Sequence, residues 1–449
     1  MTNASRERVQ RPKYILLITI DSLRADALER GDDLPNLTWF RERSMVFTRA
    51  YAVAPFTTFS VASLFTSKLA SDLEFYHIHE NLQGVYIKNT TTLPQYLSEN
   101  GYTAIGINTN PLLSSDVGFQ QGFDVYKEPS ILGLKGSLEV FVEKIARLLR
   151  KTPYETADVV NQKALELLRE HVPTNLFLWT HYMDIHGPYY AAGREFSWIN
   201  KLRSEFLWQK AIRDNISSAD ARALRKHYDQ EVVRLDQKLG DLFKGLVEQG
   251  IWEDCLIIIT ADHGDEFGEH GQYGHKHKLY NELLQVPLMV KLPAVSVSRQ
   301  SADKITRVDS PVSLLDVFPT VVQAVGSGED NGFTDVLSQL RGKSLLSRTP
   351  ERRRAIVAES DVHPCRAFSV IDYPLKLIHG TDGSDELYNL LDDPGERTDL
   401  SRAEPKRVGY LKELYLSMTS DKERERVAES DQGLNDALKQ RLKDLGYME

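Results

Sequence analysis

Seven residues without a charge, YILLITI at positions 14–20, stand between a polar N-terminal tail and Asp21. A run that is apolar or β-branched at consecutive positions has no polar face to offer water. It fits a strand covered on both sides, and such strands belong to parallel or mixed sheets packed between helices. Similar runs recur as TAIGI at 103–107, LFLWT at 176–180, CLIIIT at 255–260 and PLMVKL at 287–292. Within 229–249, Val232, Leu235, Leu239, Leu242, Phe243 and Leu246 recur at helical spacing, and Gly250 follows as a terminator. Strand, helix, strand in this order predicts an α/β fold with helices on both faces. A further amphipathic helix is expected over 138–151, as a surface element or a lid. Its basic side chains (Lys144, Arg147, Arg150, Lys151) leave membrane-surface contact as the alternative.

The chain of 449 residues is 41% hydrophobic, too rich in apolar side chains to stay disordered. Its 55 basic and 64 acidic residues leave a net charge of -9, which argues against a nucleic-acid scaffold. Two cysteines, Cys255 and Cys365, make no disulfide framework. No apolar run reaches the ~18 residues of a membrane span, and MTNASRERVQRPK has no apolar core of a signal peptide. As written, the chain reads as cytoplasmic. The alternative is the extracytoplasmic soluble domain of a membrane protein, with membrane association only through an N-terminal region missing from this sequence. Nothing in the composition sets an oligomeric state.

Carboxylates at the C-terminal ends of parallel strands lie where open α/β sheets hold their ligands. Asp21 follows the first run and Asp262-His263 follows CLIIITA. A single aspartate there is ordinarily a helix cap; two, one of them beside a histidine, point to a metal. Asp-Asp-His suits Zn or Mn better than Ca, which favours all-oxygen shells. Of the twelve histidines, His263, His270, His275 and His277 share one segment interspersed with Gly264, Gly268, Gly271 and Gly274, which reads as a loop after a buried strand. A third cluster, HYMDIHGPY at 181–189, places His181, Asp184 and His186 just past LFLWT. On an extended segment Asp184 and His186 would share a side. His181 with Asp184 could form a second metal site. Thr57 and Thr58 precede a helix expected to begin at Ser60. Hydroxyls there serve either as caps or beside an anion held at the helix N-terminus.

ITIDSLRAD, LPNL at 34–37, the Thr57 loop with ASLFT, HYMDIHGPY, TADHGDEFGEHG, LYNELLQVPLMV and ELYNLLDDPGERTDL follow one another in this order. Together they resemble the sulfatase family of the alkaline phosphatase superfamily. The resemblance implies a large, mainly parallel mixed sheet sandwiched by helices over 13–350, with a smaller C-terminal α+β subdomain and helical tail over 351–449. It implies one divalent metal ion, Zn or Mn favoured over Ca, on Asp21, Asp262, His263 and Thr57, with a second metal possible. Thr57 falls where the family's nucleophile lies, His275 matches a His or Lys near the transferred group, and His186 matches a substrate-contacting histidine. Asn110, His277 and Asp184 are the further residues expected to contact substrate.

Three departures set this chain apart from the formylglycine sulfatases. Thr57-Thr58-Phe59-Ser60-Val61 replaces the Cys or Ser followed by x-P-x-R, and threonine cannot become formylglycine. GINTNPLL stands where a sulfate-binding Lys and His would be, leaving Asn108 or Asn110 as polar contacts. The metal set ends Asp-His rather than Asp-Asn. These features resemble the phosphoryl-transfer branch, which includes phosphoethanolamine and phosphoglycerol transferases with a threonine nucleophile. The expected activity is metal-dependent hydrolysis or transfer of a phosphodiester or phosphonate-type ester, on a small molecule or a lipid headgroup. The alternatives are a sulfatase without formylglycine and a catalytically silent binding protein.

Overall fold

The structure is a computed structural model. It describes residues 11–419 apart from 80–81, 87–89, 116–117, 129–154, 173, 191–197, 295–305, 327–330, 347–353, 363–364 and 381. The expected helix at 138–151 and the charged tail after 419 lie outside these residues.

The YILLITI run forms a strand, Tyr14–Ile20, buried at every position. It is central because it is apolar on both faces: Ile15, Leu16, Leu17, Ile18 and Ile20 are each at most 1% exposed. Burying each such side chain contributes about 1.5–3 kcal/mol. The main sheet runs Thr306–Val308, Met45–Tyr51, Gln285–Lys291, Cys255–Ala261, Tyr14–Ile20, Leu176–Tyr182, Thr103–Asn108, Val125–Lys127. All pairings on this path are parallel except those of Gln285–Lys291, which runs antiparallel to both neighbours. The mixed, mainly parallel sheet with flanking helices matches the architecture expected from the sequence.

The helical pattern at 229–249 belongs to a longer helix, Ser218–Glu248. Sequence periodicity caught only its C-terminal two-thirds. The true start is set by Ser217, whose hydroxyl accepts the Asp220 amide at 3.1 Å. A second, antiparallel sheet of Ile356–Val362, Cys365–Asp372, Leu375–His379 and Asp385–Asn389 follows in simple chain order. The helix Pro405–Met418 covers it, with Tyr415 stacked on Phe368 at 3.7 Å between ring centres.

Strand register decides what the C-terminal edge of the main sheet carries. Ile20 lies opposite both Tyr182 and Ala261. The next residue of the central strand, Asp21, is therefore side by side with Asp262. Thr19 lies opposite His181, and His181 opposite Asn108.

The two sheets are fastened together by buried charge. The Lys376 ammonium, in the second sheet, lies 2.6 Å from Glu396 Oε1, and both side chains are fully buried. Lys376 also donates to Asn281 Oδ1 at 3.0 Å, while Glu396 Oε2 accepts the Asn281 amide at 2.6 Å. Arg397 adds a bond to the Glu269 carbonyl at 2.6 Å. Thus the DPGER turn holds the loop that follows Asp262-His263 at Glu269 and at Asn281.

Candidate active site

Asp21, Asp262 and His263 place one ligand atom each within 4.8 Å of one another, and all are buried. His263 Nε2 is 3.9 Å from Asp21 Oδ1 and 3.6 Å from Asp262 Oδ2. The His263 Nδ1 lies 2.9 Å from the Gly264 carbonyl, which turns Nε2 toward the carboxylates.

Thr57 completes the group. Its Oγ1 is 3.3 Å from Asp21 Oδ2 and 3.2 Å from His263 Nε2. The helix begins here, as Thr57–Thr66, rather than at Ser60, and its cap residue is Phe56 without a side-chain cap bond. Thr57 is therefore not a cap; its hydroxyl is turned into the site. The Thr57 and Thr58 amides belong to the first turn, where no intrahelical acceptor exists and the dipole is positive. Ser60 Oγ binds the Asp262 carbonyl at 2.6 Å and so ties this helix to the strand end.

Around this centre lies a set of positioning contacts. Ser22 adopts φ 63°, a conformation costing a non-glycine residue roughly 1–2 kcal/mol. It is held there because its amide reaches Asp262 Oδ1 at 3.3 Å, its hydroxyl reaches Asp21 Oδ1 at 3.0 Å, and its carbonyl accepts from Tyr228 at 3.1 Å. Asn110 Nδ2 donates to Asp21 Oδ2 at 2.9 Å, and its Oδ1 accepts the Leu112 amide at 2.9 Å. One N–H and the oxygen of its amide thus serve Asp21 and a local turn. His181 Nε2 lies 3.4 Å from the same Asp21 oxygen, and its Nδ1 lies 2.8 Å from Thr19 Oγ1.

The histidines of the two loops converge on the open side. The His275 ring is 4.5 Å from that of His263 and 5.1 Å from that of His186. Phe56 packs against both His275 and His277, at 6.2 and 5.4 Å. Burial lowers the pKa of His277, which keeps it neutral. Asp184 does not join them. Its carboxylate accepts the Ala157 amide at 3.0 Å, at the N-terminus of the helix Ala157–His171, and burial pushes it up to about 7. The chain turns after Tyr182, with the His186 amide on the Met183 carbonyl, so the extended geometry that would put Asp184 beside His186 is absent. The Asp184 carboxylate is thus engaged at the start of that helix rather than beside His186.

The donor set fits a divalent cation. Asp262 Oδ2 is buried without a well-formed hydrogen bond. Burial and the adjacent negative charge of Asp21 push the Asp262 carboxyl up to about 7. Burial also opposes the charge on Asp21, but facing His186, His181 and His263 outweigh it and hold that carboxyl well below the usual range. Two acids pushed apart in this way share one negative charge until a cation arrives. His263, Asp265 and His275 also lie close together. However, both Asp265 oxygens are already hydrogen-bonded, to His275 and Tyr189. A third group, His270, Glu282 and Glu396, has the Lys376 ammonium seated on Glu396. An ion at Asp21, Asp262 and His263 must displace the Asp262 proton. Its apparent affinity is therefore expected to fall about tenfold per pH unit below pH 7 and to level off above it. Titration with Zn²⁺ or Mn²⁺ across that range measures this, and a flat affinity would remove Asp262 from the ligand set.

Sequence reasoning missed Ser22, Asp265 and Tyr189. Asp265 stood in plain view within TADHGD, and Tyr189 within HGPYY. Among the described residues, no helix is long and apolar enough to cross a membrane.

Comparison with known proteins shows the family. The family model described as Sulfatase matches residues 13–327. A choline-sulfatase of Rhizobium meliloti (strain 1021) is 23% identical over 435 residues, 86% of this chain and 82% of that protein. An arylsulfatase K of Gallus gallus is 22% identical over 443 residues, 86% of this chain and 78% of its own. The crystal structure of a phosphonate monoester hydrolase of Agrobacterium radiobacter superposes with a TM-score of 0.67 at 19% identity, covering 91% of this chain and 95% of that one. The chain belongs to the sulfatase family of ester-cleaving hydrolases.

Proposed function

We propose that the protein cleaves or transfers phosphodiester or phosphonate monoester groups through a covalent Thr57 intermediate. The observation that carries this reading is the Thr57 hydroxyl, within 3.3 Å of Asp21 and His263 at a helix N-terminus. Asp21, Asp262 and His263 would hold one divalent ion, Zn or Mn on the chemistry of the donors. When bound, such an ion lowers the pKa of an adjacent hydroxyl and offsets charge on a non-bridging oxygen.

The chain's own groups supply the rest. Thr57 Oγ1, its proton released to water, attacks phosphorus in line; the Oγ1–P bond forms as the bond to the leaving oxygen breaks. That oxygen takes a proton from His275 Nε2. Water or an acceptor alcohol then attacks, returns its proton to His275, and expels Thr57 Oγ1. His186, with Nδ1 2.7 Å from the Gly187 carbonyl, turns its other nitrogen to the pocket and binds an equatorial oxygen.

A threonine ester can shed its group only by this second attack, which favours phosphorus over sulfur. Sulfate ester hydrolysis is the second reading, supported by the choline-sulfatase and arylsulfatase relatives. The two are separated by assaying bis(p-nitrophenyl) phosphate, p-nitrophenyl phenylphosphonate and p-nitrophenyl sulfate with Zn²⁺ or Mn²⁺. Greater kcat/KM on the phosphorus esters is expected; turnover of the sulfate alone would overturn the assignment.

A further inference from the structure

The loop bearing His275 contains a carboxylate that no substrate can reach. Asp265 is fully buried, with Oδ1 2.9 Å from His275 Nδ1 and Oδ2 accepting the Tyr189 hydroxyl at 2.8 Å. Its carbonyl accepts Arg24 Nη1 at 2.8 Å, so the residue is fixed at backbone and side chain alike. Tyr189 is itself fully buried, packed edge-on against Trp208 and Tyr228 at 5.6 and 5.5 Å. Burial, with Asp265 beside it, holds the Tyr189 phenol well above its ordinary range, so it remains a donor.

We infer that Asp265 is a positioning residue, which with Tyr189 fixes the His275 ring with Nδ1–H on Asp265 and Nε2 toward the pocket, so that the ring, when protonated on both nitrogens, gives its Nε2 proton to the leaving oxygen. With Asp265 accepting, the His275 Nδ1 must bear hydrogen, and Nε2 is left to face the pocket. The ring can then give up its Nε2 proton and recover it while Nδ1–H stays in place, as in catalytic triads. His186 is held differently. Its Nδ1 meets a neutral carbonyl, which orients the ring without balancing a positive charge. The two histidines therefore divide the work: His275 transfers the proton and His186 binds the transferred group.

This inference rests on the Thr57 reading, and one series of substrates tests the two separately. Aryl phosphodiesters with leaving groups from p-nitrophenol to unsubstituted phenol are compared by kcat/KM, which reports departure of the first alcohol. Asp265→Asn can keep the Tyr189 bond only by turning an N–H toward His275 Nδ1, which opposes protonation of the ring. It is expected to lose about 10²–10³ on the phenyl ester and less than about tenfold on the p-nitrophenyl ester. Tyr189→Phe, which deletes one hydroxyl, should show the same slope with a smaller loss. Metal content should stay at the wild-type value in both. An equal loss across the series would mean a merely structural role, and loss of bound metal would make Asp265 a ligand; either overturns the inference. Thr57→Ala serves as the control: if it retains turnover across the series, it is the Thr57 reading that fails, whatever Asp265 does.

Discussion

Thr57→Ala should lower kcat on bis(p-nitrophenyl) phosphate by at least about 10³-fold, while Thr58→Ala stays near the wild type. The reasoning begins with geometry. Thr57 Oγ1 is the one hydroxyl of the helix start that touches both Asp21 and His263. Removing it leaves the Asp21, Asp262 and His263 donors in place, so metal content should barely change while chemistry stops. Thr57→Ser keeps the hydroxyl and loses a methyl; it should retain activity within about tenfold of the wild type. Rapid acid quench followed by peptide mass analysis should find the transferred group on the Thr57 peptide. Full activity in Thr57→Ala would end the covalent mechanism, and loss in Thr58→Ala alone would move the nucleophile by one residue.

The largest effect on stability is expected far from the chemistry, at Lys376→Met. Lys376 and Glu396 are both fully buried and 2.6 Å apart. Burial lowers the lysine pKa and raises that of the glutamate, each opposed by the partner's charge. Such a pair gains little over an apolar pair of similar shape. Breaking it is different, because the survivor is left as an unpaired charge in a dry site at a cost of about 3–5 kcal/mol. Lys376→Met should therefore lower the thermal midpoint by roughly 3–6 °C. The double change Lys376→Met with Glu396→Gln should recover much of that loss, since no carboxylate is stranded. A single change within about 1 °C of the wild type would show that water reaches the pair.

Part of the site is legible in sequence because the sheet makes it so. Asp21, Asp262 and His263 each follow an apolar run, and a parallel sheet gathers strand ends along one edge. Thr57 was found only through its surroundings: the helix start was placed three residues late, at Ser60, because hydroxyls so often cap. The hydrogen bonds of Asp184 and Asn110 are not legible for a related reason. Spacing gives the side of an extended chain, but Asp184 lies in a turn, and Asn110 gives one N–H to Asp21 and accepts the Leu112 amide. The grouping of His270, Glu282, Lys376 and Glu396, the first two only half-buried, has no signature in the sequence, since its members are brought together only by the docking of two sheets. Long-range pairing of this kind has no local signature.

The position of the Tyr14–Ile20 strand also has a consequence during synthesis. Its neighbours in the finished sheet are Leu176–Tyr182 and Cys255–Ala261, with Tyr14 opposite both Leu176 and Cys255. The ribosome makes this strand before either partner, and the second partner follows 241 residues later. At about 5–20 residues per second, the apolar run waits on the order of ten to fifty seconds with an unfilled edge. Nascent chains should therefore engage holding chaperones from the emergence of this strand until Ala261 has followed. Truncations ending before Cys255 should aggregate rather than fold to a partial sheet.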